Sequence, residues 1–406
     1  MLISQRICSI TRVSSFFRAG YRLLSTINVD KLQCIKYGEP IVDSLQLNTS
    51  KMEVEDRLPN EHVILKLVAS SINPADINVI QGKYGNLPKT LPETIGNEGL
   101  FEVIKSGCQE DFKEGDWAIV KSIGTGTWCS HLRAHKNDLI RMDKKLGVDY
   151  ATTLLVNPVT AYLLLHSFVK LAEGENVIIN APTSIVGRSL IQICKSQYLQ
   201  STCILRDEQI NDSALKQELT DLGATYIISN SNLRDKTICA DIPKARLALN
   251  CVGGKHATDM MRLALEGCTM VTYGGLSLQP VTAPTGSLIF RDHRFFGFWL
   301  SRWRLQNAES GLLEGVISEL TQMALEKKLI LPKLIMSGCG CTNQCPNPSK
   351  DEFFGLVFIL ALVLILGILP CGVIFGLLIR KLVLWRKKKS YTYPVADVQI
   401  DNVDIV

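Results

Sequence analysis

Tyr84 lies in Gln81-Gly82-Lys83-Tyr84-Gly85, a glycine-bracketed loop behind the turn-like stretch Asn73-Pro74-Ala75-Asp76. A phenol in such a loop can give its proton to a developing carbanion or enolate, and phenols keep that proton at neutral pH. On composition alone, a loop tyrosine is more often a packed aromatic, so the donor role needs a companion site. The segment Asn180-Ala181-Pro182-Thr183-Ser184-Ile185-Val186-Gly187 offers one: backbone N–H groups followed by a helix N-terminus can seat a pyrophosphate. It lacks the full glycine fingerprint, because Ile185 takes a place where glycine would let the backbone approach more closely. Further on, a strand ends in Leu205-Arg206-Asp207. NAD-binding units put an acid there for the ribose 2′-hydroxyl. Arg206 would pair instead with a 2′-phosphate and favour NADPH, while a solvated strand-end arginine is the plainer role and Asp207 argues the other way.

These residues need particular elements to hold them. From 31 to 150 the sequence reads as short strands with turn punctuation: Val63 to Val68 and Phe101 to Ile104 are buried runs, and Gly115-Asp116-Trp117 marks a turn. That half is β-rich and barrel-like. Near Ala151 the period changes. Strands around Val177-Ile178-Ile179, Cys203-Ile204-Leu205, Tyr226-Ile227-Ile228, Leu247-Ala248-Leu249 and Met270-Val271-Thr272 alternate with helical spacing at Leu190, Ile191, Ile193 and Cys194. The same spacing recurs at Leu215, Leu219 and Leu222, where Gly223 closes the helix. Strand–helix alternation predicts βαβ units and a parallel sheet covered on both faces, a Rossmann-type α/β domain over 151–310. A helix over 311–328 then leads back out, so 311–333 starts a return to the first domain.

The bulk numbers suit two such domains. The chain has 406 residues, 46% of them apolar and 20% charged, enough for two cores and too regular for disorder. The net charge of +5 is concentrated at the ends, with no basic stripe interleaved with aromatics, so no nucleic-acid partner is predicted. The 13 cysteines lack disulfide-like spacing over the body and suggest free thiols in a reducing compartment. Residues 1–28 carry Arg6, Arg12, Arg18 and Arg22 and no acid, the composition of a mitochondrial import signal with removal near Ser25. The tail, 334–406, is of another kind. Cys339, Cys341 and Cys345 crowd together, 353–379 carries no charge, and Arg380, Lys381, Arg386 and Lys387-Lys388-Lys389 follow. An uncharged run of that length with a cationic flank predicts a transmembrane helix and membrane association through the tail.

Metal chemistry is not expected. Ile95-Gly96-Asn97-Glu98-Gly99 places an amide where zinc alcohol dehydrogenases of this architecture carry a ligand histidine, and no structural-zinc set of four cysteines appears. A reduction would then be polarised by hydrogen bonds and protonated by a side chain. Ile72 to Asn78 with Gln81 to Gly85, Gly96 to Gly99, Val156-Asn157-Pro158 with Thr160-Ala161-Tyr162, Arg246 to Gly254, Met270 to Gly275 and Gly297 to Ser301 together resemble the mitochondrial trans-2-enoyl-CoA reductases, zinc-free members of the medium-chain dehydrogenase/reductases. The resemblance covers about 29 to 333.

That resemblance implies a GroES-like catalytic domain over 29–150 beside the Rossmann-type domain. It also implies reduction by NADPH of 2-enoyl thioesters of CoA or acyl-carrier protein, in mitochondrial fatty acid synthesis, by a homodimer. Tyr84 matches the family's proton donor, and Asn157 a residue beside the nicotinamide ribose and phosphates. Thr183, Ser184, Ile185 and Val186 match the pyrophosphate turn, and Arg206, Asp207 and Glu208 the 2′-phosphate segment. Tyr273, Gly274, Gly275 and Leu276, with Phe298, Trp299, Leu300 and Ser301, match two further cofactor-contacting stretches. Two other functions remain open on the sequence: an NADPH:quinone reductase of the same architecture, and a non-catalytic, membrane-anchored variant.

Overall fold

The computed structural model describes residues 24–331. Residues 1–23 of the proposed import signal lie outside the described residues, as does the tail with its crowded cysteines and the run 353–379. The first described strand starts at Leu24, with Leu24 opposite Glu55 and Asn28 opposite Lys51, so it takes in the last residues of the proposed import signal. The serine- and arginine-rich composition around this stretch hides its strand.

The first half is built on β1 (Leu24–Cys34), β2 (Leu45–Glu55), β3 (His62–Ser70), the short helix α1 (Pro74–Ile80), β4 (Glu93–Thr94), β5 (Gly99–Ser106), β6 (Trp117–Val120), β7 (His131–His135) and β8 (Leu139–Met142). A three-stranded sheet runs β2-β1-β4 and a five-stranded sheet runs β7-β3-β5-β6-β8. The expected turn at Asn73-Pro74-Ala75-Asp76 is instead the start of α1. Proline suits the first helical turn, where its missing N–H is no loss, and Asp76 accepts the Asn73 N–H at 2.7 Å.

Two helices, α2 (Gly147–Thr153) and α3 (Asn157–His166), lead into the second half. There β9 (Asn176–Asn180), α4 (Ile185–Ser196), β10 (Gln200–Leu205), α5 (Ser213–Leu222), β11 (Tyr226–Ser229), β12 (Ala245–Asn250), α6 (Gly254–Met260), β13 (Ala264–Thr272), α7 (Thr285–Arg291) and β14 (Arg294–Gly297) follow. Six parallel strands lie in the order β11-β10-β9-β12-β13-β14. This is the doubly wound order whose direction reverses between β9 and β12, and ligands of such sheets sit beyond the strand ends at that point. All five residues of β9 are buried, which is why its centre, Val177-Ile178-Ile179, reads as an apolar run. Gly223 closes α5 with φ +118°. β14 goes beyond the strands read from the sequence: four residues at the sheet edge, mostly exposed, leave neither a buried run nor an alternation.

The chain ends its described course in α8 (Leu300–Gln306) and α9 (Leu312–Leu325). Leu313, Val316, Ile317, Leu320 and Met323 of α9 join one core with Leu100, Ile119 and Ile140 of the first half and Val177 and Ile179 of the second. At roughly 1.5–3 kcal/mol for each large apolar side chain buried, this shared core binds the halves together. No single described helix is long and apolar enough to cross a membrane.

Candidate functional site between the two domains

At the switch point the carboxyl ends of β9 and β12 present two buried amides. Asn180 Nδ2 donates to Asn250 Oδ1 at 2.7 Å, and Asn180 Oδ1 accepts the Cys251 N–H at 2.6 Å. Asn250 Oδ1 also accepts from Gly253 N–H, and Asn250 Nδ2 donates to Thr272 Oγ1 at the end of β13. These bonds fix three strand ends and the loops leaving them. After β9 the chain turns through Ala181, at φ +52°, into α4. Ser184 caps that helix, its Oγ accepting the Gly187 N–H at 3.0 Å. A Cβ on Gly187 would stand 2.4 Å from the Ala181 carbonyl oxygen and 2.7 Å from Pro182 Cα. Only glycine lets the helix start this close to the turn. Ile185 is the first helical residue, and its side chain packs on the shared core. The backbone N–H groups of the turn are thereby gathered at a helix N-terminus, a cradle that fits a dinucleotide pyrophosphate.

Arg206, Asp207 and Glu208 follow β10 and are exposed. Asp207 accepts the Ser231 N–H at 2.9 Å, and this bond holds its carboxyl below the usual carboxylate range. Its first partner is thus the neighbouring turn, which weakens its claim as a ribose-binding acid. Tyr273, Gly274, Gly275 and Leu276 leave β13 beside the loop after β12: Tyr273 N–H donates to Asn250 O and Leu276 N–H to Cys251 O. A Cβ on Gly274 would come within 2.6 Å of Cys251 Sγ, so this passage too depends on glycine.

Phe298 to Ser301 link this half to the other. Phe298 N–H donates to Thr272 O, and Leu300 and Ser301 open α8. Trp299 Nε1 donates to the Tyr84 hydroxyl at 2.8 Å, the two rings meeting edge to face with centroids 5.7 Å apart. Ser301 Oγ lies 3.3 Å from the same hydroxyl. Indole only donates, so the Tyr84 oxygen is the acceptor there and its own proton remains to be given, to Ser301 or to a substrate. Tyr84 and Ser301 line one cleft with Asp76 and Asn97, between apolar walls that include Leu87 and Ile123.

Two fully buried carboxyls back this cleft. Asp76 Oδ1 accepts both the Asn97 backbone N–H at 3.0 Å and the Asn97 side-chain amide at 2.6 Å. Burial lifts Asp76 to about 6 against the pull of these bonds. Glu98 Oε1 accepts the Val156 N–H at 2.8 Å, while Oε2 accepts Ser71 Oγ at 2.7 Å and Asn73 Nδ2 at 3.1 Å. Burial, helped by the charge of Asp76, lifts Glu98 to about 7. Asn73 Oδ1 in turn accepts Asn157 Nδ2 at 3.0 Å, tying Asn157 at the head of α3 to this group. Arg304 of α8 is buried as well, donating to the Lys121 carbonyl, and Lys121 pairs with Glu314 of α9. Burial pulls the guanidinium down to about 10, partly offset by Glu98 and Tyr84. Among the described residues no three His, Cys, Asp or Glu side chains cluster as a metal site would require.

The sequence-based candidates thus fall in four places: the turn 183–186 and stretch 273–276 at the strand ends, 206–208 on the outer rim, Asn157 at the head of α3, and Tyr84 with 298–301 at the domain junction. The sequence reading did not single out Asp76, Glu98, Asn73, Arg304, Asn180 or Asn250. The proline and acid of Asn73-Pro74-Ala75-Asp76 were a usable helix-start signal; nothing local marks Arg304.

Fold and site define a medium-chain dehydrogenase/reductase, and the alcohol dehydrogenase GroES-like domain family matches residues 59–165. The mitochondrial enoyl-[acyl-carrier-protein] reductase of Xenopus tropicalis is 39% identical over 321 residues, spanning 78% of this chain and 90% of that protein. Among solved structures, a mutant form of enoyl thioester reductase from Candida tropicalis is similar at a TM-score of 0.71 and 34% identity, over 78% of this chain and 94% of that one. Etr1p in complex with NADP and crotonyl-CoA is similar at a TM-score of 0.69 and 34% identity, over 76% and 92% of the two chains. The chain belongs to the mitochondrial enoyl-[acyl-carrier-protein] reductases.

Proposed function

We propose that this protein reduces trans-2-enoyl thioesters, carried on CoA or acyl-carrier protein, to saturated acyl thioesters with NADPH in mitochondria. The observation that carries the reading is the Tyr84 hydroxyl, held by Trp299 and Ser301 inside a cleft at the domain junction. NADPH, when bound, supplies the hydride for the β-carbon. The residues of this chain do the rest. Gly187, Ser184 and the N-terminus of α4 cradle the pyrophosphate, Arg206 reads the 2′-phosphate, and Tyr84 gives a proton to the α-carbon as charge develops there. Trp299 fixes the phenol by donating to its oxygen, which leaves the Tyr84 O–H to be given to Ser301 or to a substrate.

The remaining site residues are assigned on the same reading: Asn157 to the nicotinamide half, Tyr273 to Leu276 and Phe298 to Ser301 to the cofactor walls. A second copy of the chain would pair along the edge strand β14, next to which Leu288, Ile289 and Phe290 of α7 are exposed. Residues 353–379 are assigned as a membrane span on their composition alone.

A substrate panel tests the activity. A series of 2-enoyl-CoA esters should turn over with NADPH, and quinones should not. NADH should bind about ten- to hundredfold more weakly, the cost of losing a charge-assisted phosphate pair, on the order of 1.5–3 kcal/mol. Faster turnover of quinones, or equal affinity for the two cofactors, would overturn it.

A further inference from the structure

We propose that Glu98 is a positioning residue: it sets the hydrogen-bond polarity of Asn157, so that Asn157 presents its carbonyl oxygen to the cofactor cleft and takes a hydroxyl rather than a phosphate. The inference rests on the assignment of Asn157 to the nicotinamide half of the cofactor. Each step of the ladder is forced by the chemistry of its groups. Ionised Glu98 can only accept. One of its oxygens takes the Val156 N–H, a backbone donor that cannot be reversed. The other takes the Ser71 hydroxyl and the Asn73 amide nitrogen. The same Asn73 nitrogen also donates to Ser71 Oγ at 3.0 Å, so both its protons are used. Asn73 therefore has only its oxygen left for Asn157, and Asn157 must donate to it. The end of the ladder is Asn157 Oδ1, which has no partner among the described residues. It is an acceptor. A ribose hydroxyl can donate to it; an ionised phosphate has no proton to give.

A proton on Glu98 would reverse the ladder. The neutral acid donates to Asn73 Oδ1, Asn73 turns its nitrogen to Asn157, and Asn157 offers nitrogen to the cleft. The groups facing Glu98 decide when this happens. Asp76 of α1 opposes its charge and Arg304 of α8 favours it; α3 contributes the Val156 N–H and no acid in its first turn. Burial brings the balance near neutrality, where the reversal is observable.

The test is NADPH affinity by titration of the full chain between pH 6 and 9, in five proteins: wild type, Glu98→Gln, Asn157→Asp, the Glu98→Gln/Asn157→Asp double variant and Asn157→Ala. Wild type should bind more tightly as pH rises through about 7. In Glu98→Gln the amide keeps the Val156 N–H on its oxygen and drives its nitrogen at Asn73. The ladder is then reversed at every pH, NADPH binds roughly tenfold more weakly, and the inflection near 7 disappears. Asn157→Asp separates polarity from damage. Its carboxylate opposes the Asn73 oxygen when Glu98 is present. Once Glu98→Gln has reversed the ladder, the same carboxylate accepts the Asn73 nitrogen and offers an acceptor to the cleft. The double variant should bind NADPH more tightly than the product of the single effects, a coupling that added charge or a loosened fold does not produce. Additive single effects, with the wild-type pH profile kept in Glu98→Gln, overturn the proposal while the cofactor site stands. Unchanged NADPH affinity in Asn157→Ala shows instead that the assignment of Asn157 is wrong, and the proposal falls with it.

Discussion

The two regions of the proposed site are made of different materials. The proposed cofactor region is mostly main chain: the N–H groups of the turn after β9, a glycine pressed against a carbonyl, and buried amides pinning strand ends. The proposed substrate region is mostly side chain: a phenol held by an indole, and buried carboxyls whose lone pairs are taken up by neighbouring amides. A region made of backbone tolerates changes of side chain and fails when a Cβ blocks the approach. A region made of side chains keeps its shape under substitution and loses its chemistry.

The largest effect should therefore come from one oxygen atom. Tyr84→Phe preserves the ring and its edge contact with Trp299 but removes the proton. Turnover on a 2-enoyl-CoA should fall roughly 10²–10⁴-fold, the usual contribution of a positioned general acid, with NADPH binding little changed. Steady-state rates with a parallel cofactor titration check both halves of the statement. Wild-type turnover in the variant would mean that water supplies the proton and that the phenol is only packing.

A paired substitution in the other region comes next. Gly187→Ala puts a Cβ 2.4 Å from the Ala181 carbonyl oxygen, and neither backbone can give way without opening the turn. Overpacking of this kind costs typically about 1–3 kcal/mol, and NADPH affinity should fall with it. Ile185→Gly acts in the opposite sense to the sequence-based expectation that glycine there would improve the phosphate turn. Ile185 already has helical backbone and packs its side chain on the shared core. The glycine variant should lose about 1 kcal/mol or more of stability and gain no affinity. Melting curves and NADPH titrations of both variants decide; tighter binding by Ile185→Gly would show that the turn is strained after all.

How far the sequence could be read follows the same division. Buried strands such as β9 and β12 show as apolar runs because both faces of the sheet are covered, and Gly223 marks the end of α5 by its chemistry. The edge strand β14 was not legible: exposed on most positions, it has no pattern to find. Tyr84 stood out as a phenol among glycines, yet its partner Trp299 is 215 residues away and meets it only through the fold. Asp76 and Glu98 were hidden for a different reason. Acids beside glycine and proline look like solvated loop residues, and only tertiary contact shows them to be fully buried. Asn180 and Asn250 lie at the ends of readable strands, but their mutual hydrogen bond belongs to the sheet order, which no local pattern specifies.

The last effect concerns the stability lost by keeping those acids. Asp76 and Glu98 hold their protons in the folded state up to about 6 and about 7, against ordinary values of 3.8 and 4.5. Between about pH 4 and 7 the native state thus binds more protons than the unfolded chain, and stability contributed by these two groups falls as pH rises through that window. Above about 7 both are ionised and the full penalty is present; below about 4 both states are protonated and it vanishes. Carboxyls such as Glu314 and Asp207, held below their ordinary values, act in reverse and lose their contribution only as pH falls through their own lower range. The prediction is a melting temperature that declines from about pH 5 to 7.5, with a shallower decline in Glu98→Gln, where one titrating group is gone. Each pH unit between the ordinary and folded values is worth about 1.4 kcal/mol, and a chain of this size moves by about 2–4 °C per kcal/mol, so the difference in slope is within reach of calorimetry. If the two slopes coincide, Glu98 does not titrate in that window, and the proposed substrate region holds its carboxylate charged with no loss of stability.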